Sequence, residues 1–275
     1  MNDVWDRAAD VLRGRARMLA AVAFFLSFLP QVAQAAVTAA FAVTSVAYYF
    51  TVGVVALAVA LLAIWSNLAV VAAASDPSTD LRRALSIGAA RLPTAIGLTL
   101  LFVLGMVALL MPVLVMVGAS GIDVGALNHR VTPVDLAGTS PGAIVGAFLF
   151  LTVIVLPILI WVSARLAVFN PVLVNERLGL RTFARSWRLT HRLTWRIIGV
   201  FLLAAVLYAV VAGAAQLVIK LLFRLLLGTG GGGTAVFMGT LFTAAASAAF
   251  GVVTATFTAQ LYRTLTGREA AETFA

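Results

Sequence analysis

Apolar residues run so long in this chain that the charged ones act as punctuation. No charge occurs from Met18 to Ser75. A membrane-crossing helix needs about 20 apolar residues, so this run predicts two spans with a turn near Thr44–Thr51, where Tyr48 and Tyr49 suit an interfacial aromatic belt. Pro30 is expected to kink the first span. Asp76-Pro77-Ser78-Thr79-Asp80 breaks the pattern, and Ser78 or Thr79 is expected to cap a helix beginning near Asp80. A short amphipathic stretch through Arg82 and Arg83 then leads to a third span, Leu92 to Val117. After a polar stretch, Gly121 to Gly142, a fourth span runs from Ala143 to about Val162 with Pro157 inside it. Ile197 to Val218 is a fifth span, Gly228 to Gly233 a flexible connector, and Ala235 to Thr258 a sixth. The tail from Arg263 is polar and expected to fray. The fold class is therefore all-α: a polytopic integral membrane protein of about six transmembrane helices, with basic amphipathic helices at the interface.

Composition strengthens this pattern. The 275 residues are 63% hydrophobic and 11% charged, against roughly 45–50% and about 25% in soluble domains. The net charge of +9 is carried by arginine, with Lys220 the one lysine. Arginines flank the N-terminus, the 76–91 loop, the 176–196 loop and the tail, all on one side of a six-span layout. The positive-inside rule makes that side cytoplasmic. Lys220 and Arg224, near the outer end of span five, are expected to snorkel to headgroups. Ala33-Gln34-Ala35 resembles a cleavage site, but Asp3, Asp6, Asp10 and the length of the apolar run argue against a cleaved signal. The chain reads as one membrane domain, 1–275. A basic amphipathic stretch followed by two spans recurs as a possible threefold repeat, 1–75, 76–175 and 176–262.

The segment richest in chemistry is Glu176 to Arg196. On one helical wheel, Arg177, Arg181, Arg185, Arg188, Arg192 and Arg196 fall within about 100°, and Leu180, Phe183 and Trp187 lie on the far side. That geometry predicts an interfacial helix whose aromatic face enters the acyl boundary while its arginines meet phosphate. Guanidinium forks suit phosphate oxygens, so these six are the lipid-headgroup candidates, with anionic phospholipid as partner. A plain topology anchor explains the same stripe. Arg165 and Glu176 are the intramembrane charge candidates, since charges in spans usually pair. About three turns separate them in a straight helix, a gap that a bend at Pro171 would shorten.

The residues Arg165-Leu166-Ala167-Val168-Phe169-Asn170-Pro171-Val172-Leu173-Val174-Asn175-Glu176, then Ser186-Trp187-Arg188-Leu189-Thr190 and Trp195-Arg196, resemble the glycerophosphoryl diester phosphodiesterase membrane-domain family over Arg165 to Gly199. The resemblance implies a multi-pass protein of a bacterial cell membrane. In the enzymes that give the family its name, this module precedes a separate catalytic domain built on a histidine-arginine pair with acidic metal ligands. His129-Arg130 and His191-Arg192 lack that acidic company, so only the membrane module is implied, without its activity.

No catalytic or metal site is expected. There are no cysteines, His129 and His191 stand alone where zinc needs three or four ligands, and Ser186 has no visible base. The run Gly230–Gly233 lacks the lysine of a phosphate loop. The reading is a non-enzymatic protein without cofactor that engages phospholipid or scaffolds a membrane process. It binds no nucleic acid and leaves room for a protein partner or homo-oligomer. A transporter or channel component is the alternative, and a membrane-embedded lipid enzyme the last choice.

Overall fold

A computed structural model describes residues 2–40, 46–119, 140–176, 178–191, 193–227 and 232–273. Among these the chain is helical, with no strand. The helices are α1 (Asn2–Gly14), α2 (Ala16–Ala23), α3 (Leu29–Ala40), α4 (Val46–Ser75), α5 (Leu81–Ala119) and α6 (Pro141–Leu149). There follow α7 (Leu156–Arg165), α8 (Phe169–Glu176), α9 (Arg181–Thr190), α10 (Thr194–Leu227) and α11 (Gly232–Thr273). Six stretches are long and apolar enough to cross a membrane: Ala16–Thr38, Tyr48–Ser75, Leu81–Ala119, Ile144–Glu176, Thr194–Leu226 and Gly233–Gly267. The protein is thus all-α with six candidate spans.

Several boundaries differ from expectation. Tyr48 and Tyr49 lie inside α4 rather than in a turn; residues 41–45, between α3 and α4, lie outside the described residues. The amphipathic stretch and the third span form one helix of 39 residues, about 58 Å at 1.5 Å per residue, well beyond a hydrocarbon core of about 30 Å. The helix continues from the polar stretch through Pro93 into the apolar one, so the change from polar to apolar residues does not end it. Likewise α11 takes in Gly232 and Gly233 and runs through the tail to Thr273. Tyr262 and Leu265 are buried, and that packing carries the helix past the last apolar run. The polar stretch 121–139 lies outside the described residues.

Pro30 and Pro157 each follow a π-helical turn, Phe24–Phe28 and Phe150–Val155. A proline ring clashes with the carbonyl four residues back and offers it no N–H. The wider π turn relieves that crowding inside an otherwise continuous helix.

The chain divides into two compact units, Met1–Ile96 with Arg165–Ala275, and Gly97–Ala164. In the smaller unit α5 and α6 approach closely at Gly146, where a Cβ would come within 2.6 Å of Met116 Cε. In the larger unit α11 is central and packs on α10, α4 and α1. Its residues 255–262 are buried on every face, together with 68–74 of α4 and Pro171–Val174 of α8. Gln260 Nε2 donates to Ala74 O at 2.8 Å, and Trp5 of α1 meets Phe257 at 6.2 Å. Polar side chains also link spans: Ser27 to Ser66 at 2.9 Å and Gln216 to Thr243 at 3.0 Å, bonds of the kind that join helices where no water competes. Gly88 lets α5 lie against α4, since a Cβ there would sit 2.9 Å from Trp65 Cδ1 and 3.1 Å from Ala69 N.

Candidate functional site

The ends of α4, α7 and α8 meet α9 and residues 260–262 of α11 in a polar junction, and each helix end needs partners for its unpaired backbone groups. At the end of α4, Arg15 donates to Ala73 O at 2.8 Å and to Thr79 O at 3.0 Å. A guanidinium there satisfies orphan carbonyls and complements the negative end of the helix dipole. The next helix is capped by Asp80, whose Oδ1 accepts from the backbone N–H of Arg83 at 2.9 Å. The expected cap at Ser78 or Thr79 is thereby corrected. Ser78 instead serves Asp76, donating from its backbone N–H and its hydroxyl, both at 2.8 Å. Those two bonds, the backbone one foremost, hold the Asp76 carboxyl below the usual carboxylate range, with Thr79 and nearby Arg83 acting the same way.

Arg165 closes α7. Its carbonyl accepts from Ser186 Oγ at 3.0 Å and Thr190 Oγ1 at 2.9 Å. Its guanidinium lies over the Trp187 ring, 5.1 Å from the centroid, and Nη1 reaches Trp187 O at 3.4 Å. A turn at 166–168 follows, and α8 then packs beside α4. Asn170 Nδ2 donates to Asn67 Oδ1 at 2.8 Å. Glu176, at the end of α8, takes Arg185 Nε at 3.0 Å and the Tyr262 hydroxyl at 2.9 Å. Arg165 and Glu176 therefore do not pair with each other. The turn after Arg165 sends each to its own partner on α9, and a bend at Pro171 plays no part because Pro171 lies buried within helical α8.

The single stripe of six arginines is corrected as well. Gly179 takes a left-handed φ of 54° between α8 and α9, and α9 ends at Thr190 while α10 begins at Thr194, with His191 and Leu193 in turn conformation. Arg177 and Arg192 lie outside the described residues. Arg181, Arg188 and Arg196 are exposed, whereas Arg185 is committed to Glu176. The buried face of α9 is Thr182, Ser186, Leu189 and Thr190. Phe183 packs on Phe169 at 4.9 Å and Trp187 lies under the Arg165 guanidinium while staying partly exposed; Leu180 and Trp195 are more exposed than Trp187. Sequence reasoning missed the hydroxyl row. Its signal was present, because Thr182, Ser186 and Thr190 recur every four residues and so share one face of α9.

Among the described residues no three of His, Asp or Glu gather in a way that would hold a metal ion. The match to known families gives no further role to these side chains. No curated protein and no solved structure matches the chain. One family model, described as a domain of unknown function, DUF7847, matches residues 7–265. With nearly its whole length matched, the chain belongs to the DUF7847 family.

Proposed function

We propose that this is a multi-pass protein of a bacterial cell membrane, with cytoplasmic N- and C-termini, that engages anionic phospholipid headgroups through α9 and performs no catalysis. One observation carries the reading. The short helix α9 is bolted to span ends through Glu176–Arg185 and Arg165–Trp187, while Arg181 and Arg188 stay exposed beside Leu180 and Trp195. A helix held at a span end presents its exposed guanidinium groups at a fixed place, and each basic residue near an anionic surface contributes on the order of 1 kcal/mol. Arg165 favours anchoring over transport, since its contacts are those of a helix terminus rather than of a path wall. The resemblance of Arg165–Gly199 to the phosphodiesterase membrane module agrees with a membrane role and supplies no activity.

The test is native mass spectrometry of the detergent-purified protein with phosphatidylglycerol and cardiolipin. Arg181→Gln/Arg188→Gln is expected to lose lipid that wild type retains. Equal retention would reduce α9 to a topology anchor.

A further inference from the structure

A second basic feature lies on α5, away from α9. Arg83, Ser86, Ile87, Ala90 and Arg91 recur at the spacing of one helix face. They line a cavity of about 480 Å³ whose other walls are Asp76, Thr79 and Asn175. Pockets that hold small ligands run about 300–1,000 Å³. Ala72 and Val174 add an apolar patch to the same wall. The cavity sits where one candidate span ends at Ser75 and the next begins at Leu81. Arg91 is two turns further along α5 than Arg83, about 12 Å by helix rise, so the pocket extends along the span.

Its charges are of both signs. The exposed Arg83 offers a forked donor suited to phosphate oxygens. Asp76 supplies one carboxylate, kept ionised by the Ser78 bonds described above. A pocket for a plain anion gains nothing from a carboxylate in its wall. A ligand with phosphate at one point and a hydrogen-bond-donating cation at another uses both Arg83 and Asp76. We propose that this cavity binds a zwitterionic phosphate–ammonium headgroup, with Arg83 on the phosphate and Asp76 on the primary ammonium. The same chemistry occurs in an ethanolamine phospholipid and in free phosphoethanolamine. The inference does not depend on α9.

The experiment uses the full chain in nanodiscs containing equal phosphatidylethanolamine and phosphatidylcholine, with co-purifying lipid identified after mild detergent extraction. Choline carries no N–H, so it cannot donate to Asp76. Wild type is expected to retain the ethanolamine lipid about tenfold over the choline lipid, the effect of one charge-assisted hydrogen bond. Asp76→Asn is expected to abolish that preference. Arg83→Gln is expected to lower ethanolamine-lipid retention about tenfold, with Arg83→Lys between the two because it keeps the charge and loses the fork. Circular dichroism establishes that each variant retains its helices. Excess soluble phosphoethanolamine displaces the lipid if the headgroup alone is the ligand and leaves it bound if the acyl chains are needed. Equal retention of the two lipids by wild type, or undiminished retention by folded Arg83→Gln, would overturn the proposal.

Discussion

Residues 255–262 of α11 and residues 217–226 of α10 are both helical and both belong to the larger unit, yet they solve opposite problems. The α11 stretch contains Thr256, Thr258, Gln260 and Tyr262, and all of it is buried. The α10 stretch is rich in leucine, and most of it is exposed, with Leu225 at 82% and Leu226 at 76%. In water that distribution would be unstable. In a bilayer it is expected, because lipid already provides an apolar solvent for leucine, and polar groups must find partners inside the protein. Tight packing is therefore concentrated where helix ends and polar side chains converge, while the most apolar segments face outward.

Leucine truncation breaks this contrast most directly. Leu261→Ala, at 1% exposure, leaves a void in the junction and is expected to cost about 2–5 kcal/mol. Leu222→Ala, half exposed, is expected to stay within about 0.5 kcal/mol. Reversible unfolding in mixed micelles compares the two, and equal losses would dissolve the distinction between the regions. A smaller effect sharpens it: Glu176→Ala leaves Arg185 and Tyr262 without their shared acceptor and is expected to cost about 2 kcal/mol. A thermal scan of Glu176→Ala, Tyr262→Phe and the double variant reads their coupling; strict additivity would mean that the two bonds are independent.

The smallest effect concerns the 76–80 turn. The Asp76 carboxyl is held below its ordinary range by Ser78, so its contribution to the turn is fully present above the unfolded-state pKa and is lost as pH falls through the depressed folded value. Carbon-detected NMR is expected to show Asp76 titrating below the usual aspartate range in wild type and closer to it in Ser78→Ala. An unchanged titration in the variant would remove the Ser78 hydroxyl as a cause and leave its backbone N–H.

The six spans were legible because hydropathy accumulates over about 20 residues and tolerates local error. The junction was less so. A wheel drawn from Arg177 to Arg196 assumes one helix, and a lone Gly179 does not announce its left-handed φ. The wheel grouped Phe183 with Trp187 correctly but could not say that Phe169 and Arg165 would cover them, since those lie in another element. Asp76, Ser78, Thr79 and Asp80 are all capping residue types, and only the register of the following helix selects Asp80. Arg15 read as one more positive charge because its partners are backbone carbonyls, which leave no mark in sequence.

The position of α11 in the chain has a consequence for biogenesis. Every surface that 255–262 covers, on α1, α4 and α8, comes earlier in the sequence. During synthesis these helices leave the ribosome with the Ala74 carbonyl and Glu176 facing a gap that α11 fills. Until α11 inserts, Glu176 lacks Tyr262 and the Ala74 carbonyl lacks Gln260. The nascent protein thus passes through a state of five spans with an open polar seam, a state that an insertase or a neighbouring helix would have to shield.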